Sequence, residues 1–169
     1  MCWRPILNLR RHRNSGIPTL RVLLGQYKHA PGGPSARRPS RPARAGRRSI
    51  DDAAAQANAC KGDILPATPE VLNDADIVVD ALFGAGLSRA LDGMASELVA
   101  RIRQARIPCM AVDVPSGIHA DTGEVLRIAP TAALTVTFFR KKPGHLLYPS
   151  RALCADVRVA DIGIADDVL

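Results

Sequence analysis

The sequence predicts an α/β fold with a mostly parallel sheet, and three observations carry that prediction. Short apolar runs rich in β-branched residues recur through the second half of the chain. Stretches of helical spacing alternate with them. The firmest run, IVVDAL, is continuous rather than alternating, as in a strand buried on both faces. Strands alternating with helices of about a dozen residues imply parallel βαβ units with helices on both sheet faces. The expected architecture is therefore an open, Rossmann-like three-layer α/β/α sandwich, and 169 residues with 47% apolar content suffice for one such domain.

In chain order, residues 1–48 read as a separate basic segment and residues 49–169 as the domain. Residues 1–50 hold 12 of the 23 Lys and Arg and none of the 16 Asp and Glu, so the formal charge of +7 belongs to this segment and the remainder is net acidic. Its second half is mostly Arg, Pro, Ala, Gly and Ser without hydrophobic periodicity, and residues 29–49 are expected to be disordered. An Arg-rich, acid-free composition suits an organellar transit peptide. It also suits a basic arm for nucleic acid, although the aromatics that could stack on bases, Trp3 and Tyr27, lie outside the densest arginine cluster. A solvated or non-native extension, translated partly out of frame, is the third reading.

DDAAAQANAC, 51–60, has aspartates in its first turn and suits a helix start. IVVDAL, 77–82, is the first buried strand. MASELVARIRQAR, 94–106, places Met94, Leu98, Ile102 and Ala105 at helical spacing, with basic residues in its last turns and Pro108 closing it. CMAVDV, 109–114, and AALTVTFF, 132–139, are further strands, and the more alternating DVRVADIGI, 156–164, suits a sheet edge.

Cys2, Cys60, Cys109 and Cys154 lie far apart, with no CxxC pair and no histidines at metal-ligand spacing, which argues against a disulfide framework or zinc site. The apolar runs fall short of the roughly 18 residues a membrane span needs. Both features point to a reducing compartment, the cytoplasm, and to no membrane partner.

In an open parallel sheet the ligand crevice lies beyond the carboxyl ends of the strands. Asp80 and Asp113 stand near two such ends, each followed by a glycine loop. They could face one another across a polar pocket as cation ligands or as acid and base, or each could cap the turn that follows. In FGAGLSR, Gly84 and Gly86 let the backbone approach a ligand and could free N–H groups for an anion, while Ser88 can donate a hydrogen bond and Arg89 can pair with phosphate. A tight strand-to-helix turn with a surface arginine is the plainer alternative. In VDVPSGIHADTG, Pro115 fixes a bend, Ser116 offers oxygens to a cation, and Gly117 permits positive φ. His119 and Asp121 read as loop residues. Lys141 and Lys142 could guide an anion or form a solvated turn.

Taken together, VVDALFGAGLSRALDG, AVDVPSGIHADTGEV, LTVTFFRKKPGHLL and VADIGI resemble, in order and spacing, the YjeF N-terminal domain family, the NAD(P)H-hydrate epimerases. The resemblance covers roughly residues 61–164. It implies a Rossmann-like fold, epimerisation of the R and S forms of hydrated NADH and NADPH, a potassium ion beside the substrate, and an S-specific dehydratase as partner. It also implies site residues: Asp80 and Ser116 for potassium, the stretch Gly84, Ala85, Gly86, Leu87, Ser88, Arg89 and Ala90 for the hydrated dinucleotide, and Asp113 to contact it. Because epimerisation needs proton transfer, Asp113 is also the candidate acid or base. A homodimer stays open. The family's Asn-Asn-Gly-Gly-Asp-type loop has no counterpart before Asp80. RVLLGQ, 21–26, is faintly similar to the family's next strand. The domain is therefore expected to be incomplete at its N-terminal side, lacking at least one strand and one potassium ligand.

Three functions follow as expectations. The first is an epimerase domain, possible also as the first part of a bifunctional repair enzyme whose dehydratase domain would begin after Leu169. The second is an inactive fragment that keeps only fold or ligand binding. The third is a nucleic-acid-binding protein driven by the basic arm.

Overall fold

In the computed structural model, which describes residues 6–9, 19–24 and 63–164, the chain builds a seven-stranded sheet of order β3-β1-β2-β4-β5-β6-β7. The strands are β1 (Ile6–Leu9), β2 (Leu20–Leu24), β3 (Asp63–Leu65), β4 (Ile77–Ala81), β5 (Cys109–Val112), β6 (Leu134–Phe138) and β7 (Asp156–Ala160). From β2 through β7 along the sheet every pairing is parallel, whereas β1 runs antiparallel to both β2 and β3. The mostly parallel, Rossmann-like α/β fold read from the sequence is the fold observed.

Two strands come from the segment expected to stand outside the domain. RVLLGQ supplies most of β2, which pairs in register with β4 from Leu20↔Ile77 to Leu24↔Ala81. The domain boundary at residue 48 therefore does not mark the start of the sheet, because residues with strand propensity near the N-terminus pair with β4 despite their basic surroundings. The helix expected over 51–60 and the disorder expected over 29–49 lie outside the described residues.

One long helix, α1 (Gly93–Ala105), links β4 to β5 and buries Ala95, Leu98, Val99 and Ile102. These pack with Val78, Leu82, Leu87, Leu91 and Cys109 into the main core, where each larger side chain contributes about 1.5–3 kcal/mol. The buried stripe is rotated from the expected one: Met94 is half-buried and Ala105 exposed. Arg106 ends the helix in the left-handed region at φ 52, two residues before Pro108, donating its N–H back to the carbonyls of Arg103 and Ile102. A second, one-turn helix, α2 (Arg151–Cys154), precedes β7. Because α1 is the one long helix among the described residues, a second helical layer is not seen there.

Several strands are shorter than the apolar runs suggest, for a backbone reason. CMAVDV stops pairing as a strand at Val112 because Asp113 takes φ 71, and AALTVTFF stops at Phe138 because Phe139 takes φ 64. A residue in the left-handed region cannot continue a β-strand. The alternating DVRVADIGI does form the sheet edge, over Asp156–Ala160.

The order of the strands places a crevice. From β2 the chain proceeds toward β3 on one side of the sheet, and from β4 toward β5 on the other, so the direction of winding reverses between β2 and β4. Ligands of open α/β sheets bind beyond the strand carboxyl ends at such a reversal. The carboxyl end of β4 is Asp80 and Ala81, followed after Leu82 by FGAGLSR.

Candidate functional site

Asp80 and Asp113 each reach into the loop that follows the other's strand. Asp80 is fully buried on the Val78 face of β4. Its Oδ2 accepts the Ser116 N–H at 2.8 Å, and its Oδ1 accepts the Ser116 hydroxyl at 2.6 Å and the Leu82 N–H at 3.3 Å. The Ser116 Oγ in turn accepts the Phe83 N–H at 3.0 Å. Asp113, just past β5, returns the link: its Oδ2 accepts the Ala85 N–H at 2.8 Å. Two strand ends are thus cross-tied by two carboxylates, a stronger arrangement than the local caps that short-range pattern suggested.

Only neutral dipoles hold the Asp80 carboxylate. Burial pushes its pKa up, and the Ser116 and Leu82 hydrogen bonds pull against that. A buried carboxylate in this condition favours either a proton or a cation. The Ser116 hydroxyl lies 2.6 Å from Asp80 Oδ1, with the Phe83 carbonyl 3.4 Å from that hydroxyl, and a single negative charge with neutral oxygens suits a monovalent hard cation. Among the described residues no group of three or more His, Cys, Asp or Glu could hold a metal ion. Replacing Ser116 with Ala would leave the Phe83 amide without its acceptor and Asp80 with one donor fewer. The expected cost is about 1–3 kcal/mol in denaturant unfolding; a loss within a few tenths would show that the Asp80–Ser116 link carries no stability.

Asp113 gathers the richest set of partners. Its Oδ1 lies 2.6 Å from Lys142 Nζ and accepts the Thr137 hydroxyl at 3.0 Å. Lys142 Nζ also donates to Thr137 Oγ1 at 2.8 Å and to the Phe138 carbonyl at 3.2 Å. Partial burial pushes the Asp113 carboxyl up, but the Lys142 ammonium, the Ala85 amide and the Thr137 hydroxyl outweigh it and hold the group below its ordinary range. Asp113 is therefore an ionised carboxylate at neutral pH, ion-paired and in a strained backbone conformation of the kind that gathers at functional sites.

The glycine loop is open. Leu87 anchors it in the core, while Ala85, Gly86, Ser88, Arg89 and Ala90 are exposed. Gly84 is required for close approach: a Cβ there would stand 2.9 Å from Asp113 Oδ2. Two amides of the loop are already engaged, the Ala85 N–H by Asp113 and the Leu87 N–H by the Gly84 carbonyl at 3.2 Å. Of the two lysines, Lys141 is exposed and Lys142 is the Asp113 partner. His119 behaves as a loop residue, its Nδ1 accepting the Asp121 and Thr122 N–H groups at 3.3 Å each.

Sequence reasoning missed Thr137 and His145. Thr135 and Thr137 are buried in β6 while Leu134, Val136 and Phe138 are half-buried. That inversion was visible as two threonines at period two inside an apolar run. His145 follows Pro143 and Gly144 in a 3-10 turn and is 3% exposed; a lone histidine after a turn carries no such signal.

The fold is that of an open, mostly parallel α/β protein with two carboxylates gathered near the strand ends where the winding reverses. A family model described as YjeF-related protein N-terminus matches residues 40–144. The chain belongs to that family. It is 41% identical over 108 residues to an NAD(P)H-hydrate epimerase of Limosilactobacillus fermentum, covering 63% of this chain and 52% of the relative. It is 40% identical over 124 residues to a bifunctional NAD(P)H-hydrate repair enzyme of Coxiella burnetii, covering 71% of this chain and 25% of the relative. A crystal structure of the yeast protein ynu0 superposes with a TM-score of 0.52 at 22% identity, over 72% of this chain and 54% of the other, a likeness in fold. The chain spans about half the length of the Limosilactobacillus relative and a quarter of the Coxiella one.

Proposed function

We propose that this chain acts as an NAD(P)H-hydrate epimerase, interconverting the R and S forms of hydrated NADH and NADPH so that an S-specific dehydratase can restore the cofactor. The names of the relatives support the reaction, and one observation about this chain carries it: an ionised Asp113 paired with Lys142 at the strand end beside the Gly84–Ala90 loop, most of which is exposed. The hydrated ring bears a hydroxyl on the carbon beside its nitrogen. Inversion there can proceed by C–O cleavage, in which the oxygen leaves with the bonding pair, takes a proton and departs as water, after which water adds to the other face and gives up a proton. Ring opening and reclosure at the same carbon is the other route. Both need one group that donates a proton and one that accepts it. Lys142 as ammonium donates and Asp113 as carboxylate accepts, and Thr137 bridges them. Gly84, Ala85, Gly86, Leu87, Ser88, Arg89 and Ala90 form the surface against which the dinucleotide lies, with Arg89 toward a phosphate.

Asp80 and Ser116 would hold a potassium ion in this reading; bound there, it would neutralise the buried carboxylate and supply a fixed positive charge near the substrate. The test is direct. The purified chain, incubated with the R form of hydrated NADH, potassium chloride and an S-specific dehydratase, should consume substrate faster than spontaneous epimerisation allows. Equality with the spontaneous rate rejects the enzyme and favours a fragment that keeps only the fold. Potassium chloride should raise the melting temperature above that in tetramethylammonium chloride at equal ionic strength, and Asp80→Asn should abolish the difference; a difference that survives the substitution removes Asp80 from the ion site.

A further inference from the structure

We infer that His145 is a positioning residue for the Asp113–Lys142 pair, holding both members through their backbones as a neutral imidazole of fixed tautomer. The inference deepens the epimerase reading and rests on it for its catalytic consequence, though not for its structural one.

The two ring nitrogens have unlike partners. The Lys142 backbone N–H points at Nδ1 at 2.9 Å, and an amide N–H can only donate, so Nδ1 must carry a lone pair. Nε2 lies 2.8 Å from the Asp113 carbonyl oxygen, which can only accept, so Nε2 must carry the proton. One tautomer satisfies both, and the doubly protonated ring satisfies only one. Burial lowers the pKa of His145 first, with the charge of Lys142 and then of Lys141 acting the same way and the Asp113 carbonyl and carboxylate acting against them. These are the charged groups that face the ring, Asp113 from the end of β5 and the lysines from its own segment.

The ring therefore spans the ion pair without touching either charge. It grips the carbonyl of a residue held at φ 71 and the amide of the residue whose ammonium neutralises that residue's carboxylate. The turn that carries it is itself fixed, because the Gly144 N–H donates to the Ala120 carbonyl at 2.6 Å and a Cβ on Gly144 would stand 2.7 Å from that oxygen. Without the imidazole the two backbones lose this bridge, and the 2.6 Å separation of the charges is left to the flexible lysine stem and to the contacts of its ammonium with Thr137 and Phe138.

The full chain tests this with three variants. His145→Phe keeps the ring volume and loses both bonds; His145→Gln can restore the donor to Asp113, and His145→Asn the acceptor for Lys142. The first readout needs no activity: Asp113 is titrated by carboxyl-labelled NMR. In wild type it should titrate below the ordinary aspartate range; in His145→Phe it should move up toward that range, with Gln and Asn intermediate. The second readout is kinetic: kcat should fall on the order of 10²-fold in His145→Phe with KM nearly unchanged, and partly recover in the other two. A purely structural histidine would lower the melting temperature yet leave the Asp113 titration and the KM-against-kcat split as in wild type, and that result overturns the inference. If His145→Phe does not fold, Gln and Asn decide it by the same titration. A wild-type chain without epimerase activity would defeat the functional reading alone, since the titration still stands or falls separately.

Discussion

Asp113→Asn is expected to lower the epimerisation rate about 10²- to 10⁴-fold, the range in which a positioned proton acceptor contributes, while leaving the chain folded. Asparagine is among the residues best able to occupy the left-handed region, so φ 71 at this position remains accessible. Its carbonyl oxygen can still accept the Ala85 N–H or the Lys142 ammonium, but its amide cannot take a proton. The same variant tests the electrostatics. Because the folded carboxyl titrates below its ordinary range, the ion pair's contribution is fully present above the unfolded carboxyl value and is lost as pH falls through the folded one. Wild type should therefore lose this part of its stability on acidification, and Asp113→Asn should not. Thermal unfolding across that pH window measures both, and parallel curves for the two proteins would show that Asp113 gains nothing from Lys142.

Gly117→Ala should be the most destabilising single-methyl change in the site, by roughly 3–5 kcal/mol, combining a strained left-handed residue with an overpacked contact. Gly117 has φ 97, and a Cβ there would lie 1.8 Å from the Ile128 carbonyl oxygen, which is backbone and cannot rotate aside. The Gly117 carbonyl also accepts the Leu126 N–H at 2.6 Å, so relief by shifting the loop would break that bond and drag the adjacent Ser116 from Asp80. Urea unfolding compared with Gly84→Ala gives the contrast: Gly84 lacks positive φ and meets a side-chain oxygen, so its substitution should cost less stability and act mainly by displacing Asp113. Equal stability losses at the two positions would contradict this account.

How much of this was legible in the sequence depended on range. The apolar runs of β4, β5 and β6 and the stripe of α1 are local patterns, and they located those elements to within a few residues. Gly117 was legible too, since a glycine after Pro115 and Ser116 signals positive φ. The cross-tie of Asp80 to Ser116 and Asp113 to Ala85 joins residues 36 and 28 positions apart; composition can suggest that both carboxylates sit at strand ends, but not that each serves the other's loop. Lys142 was indistinguishable from Lys141 until one was seen paired and the other exposed. Strand β2 was hidden by its surroundings, because arginines and prolines on both sides mask a five-residue stretch, LRVLL, that itself carries Arg21 and whose partner lies more than fifty positions away.

The way β2 joins the sheet fixes more than its own place. Burial along it alternates, with Arg21 and Leu23 buried and Val22 half-buried, and Leu23 lies in the main core. Side chains of a strand alternate between faces, so a slip of one residue in the register from Leu20↔Ile77 to Leu24↔Ala81 would turn Leu23 out of that core. The packing of β2 thereby keeps its end level with the end of β4, on which Asp80 stands.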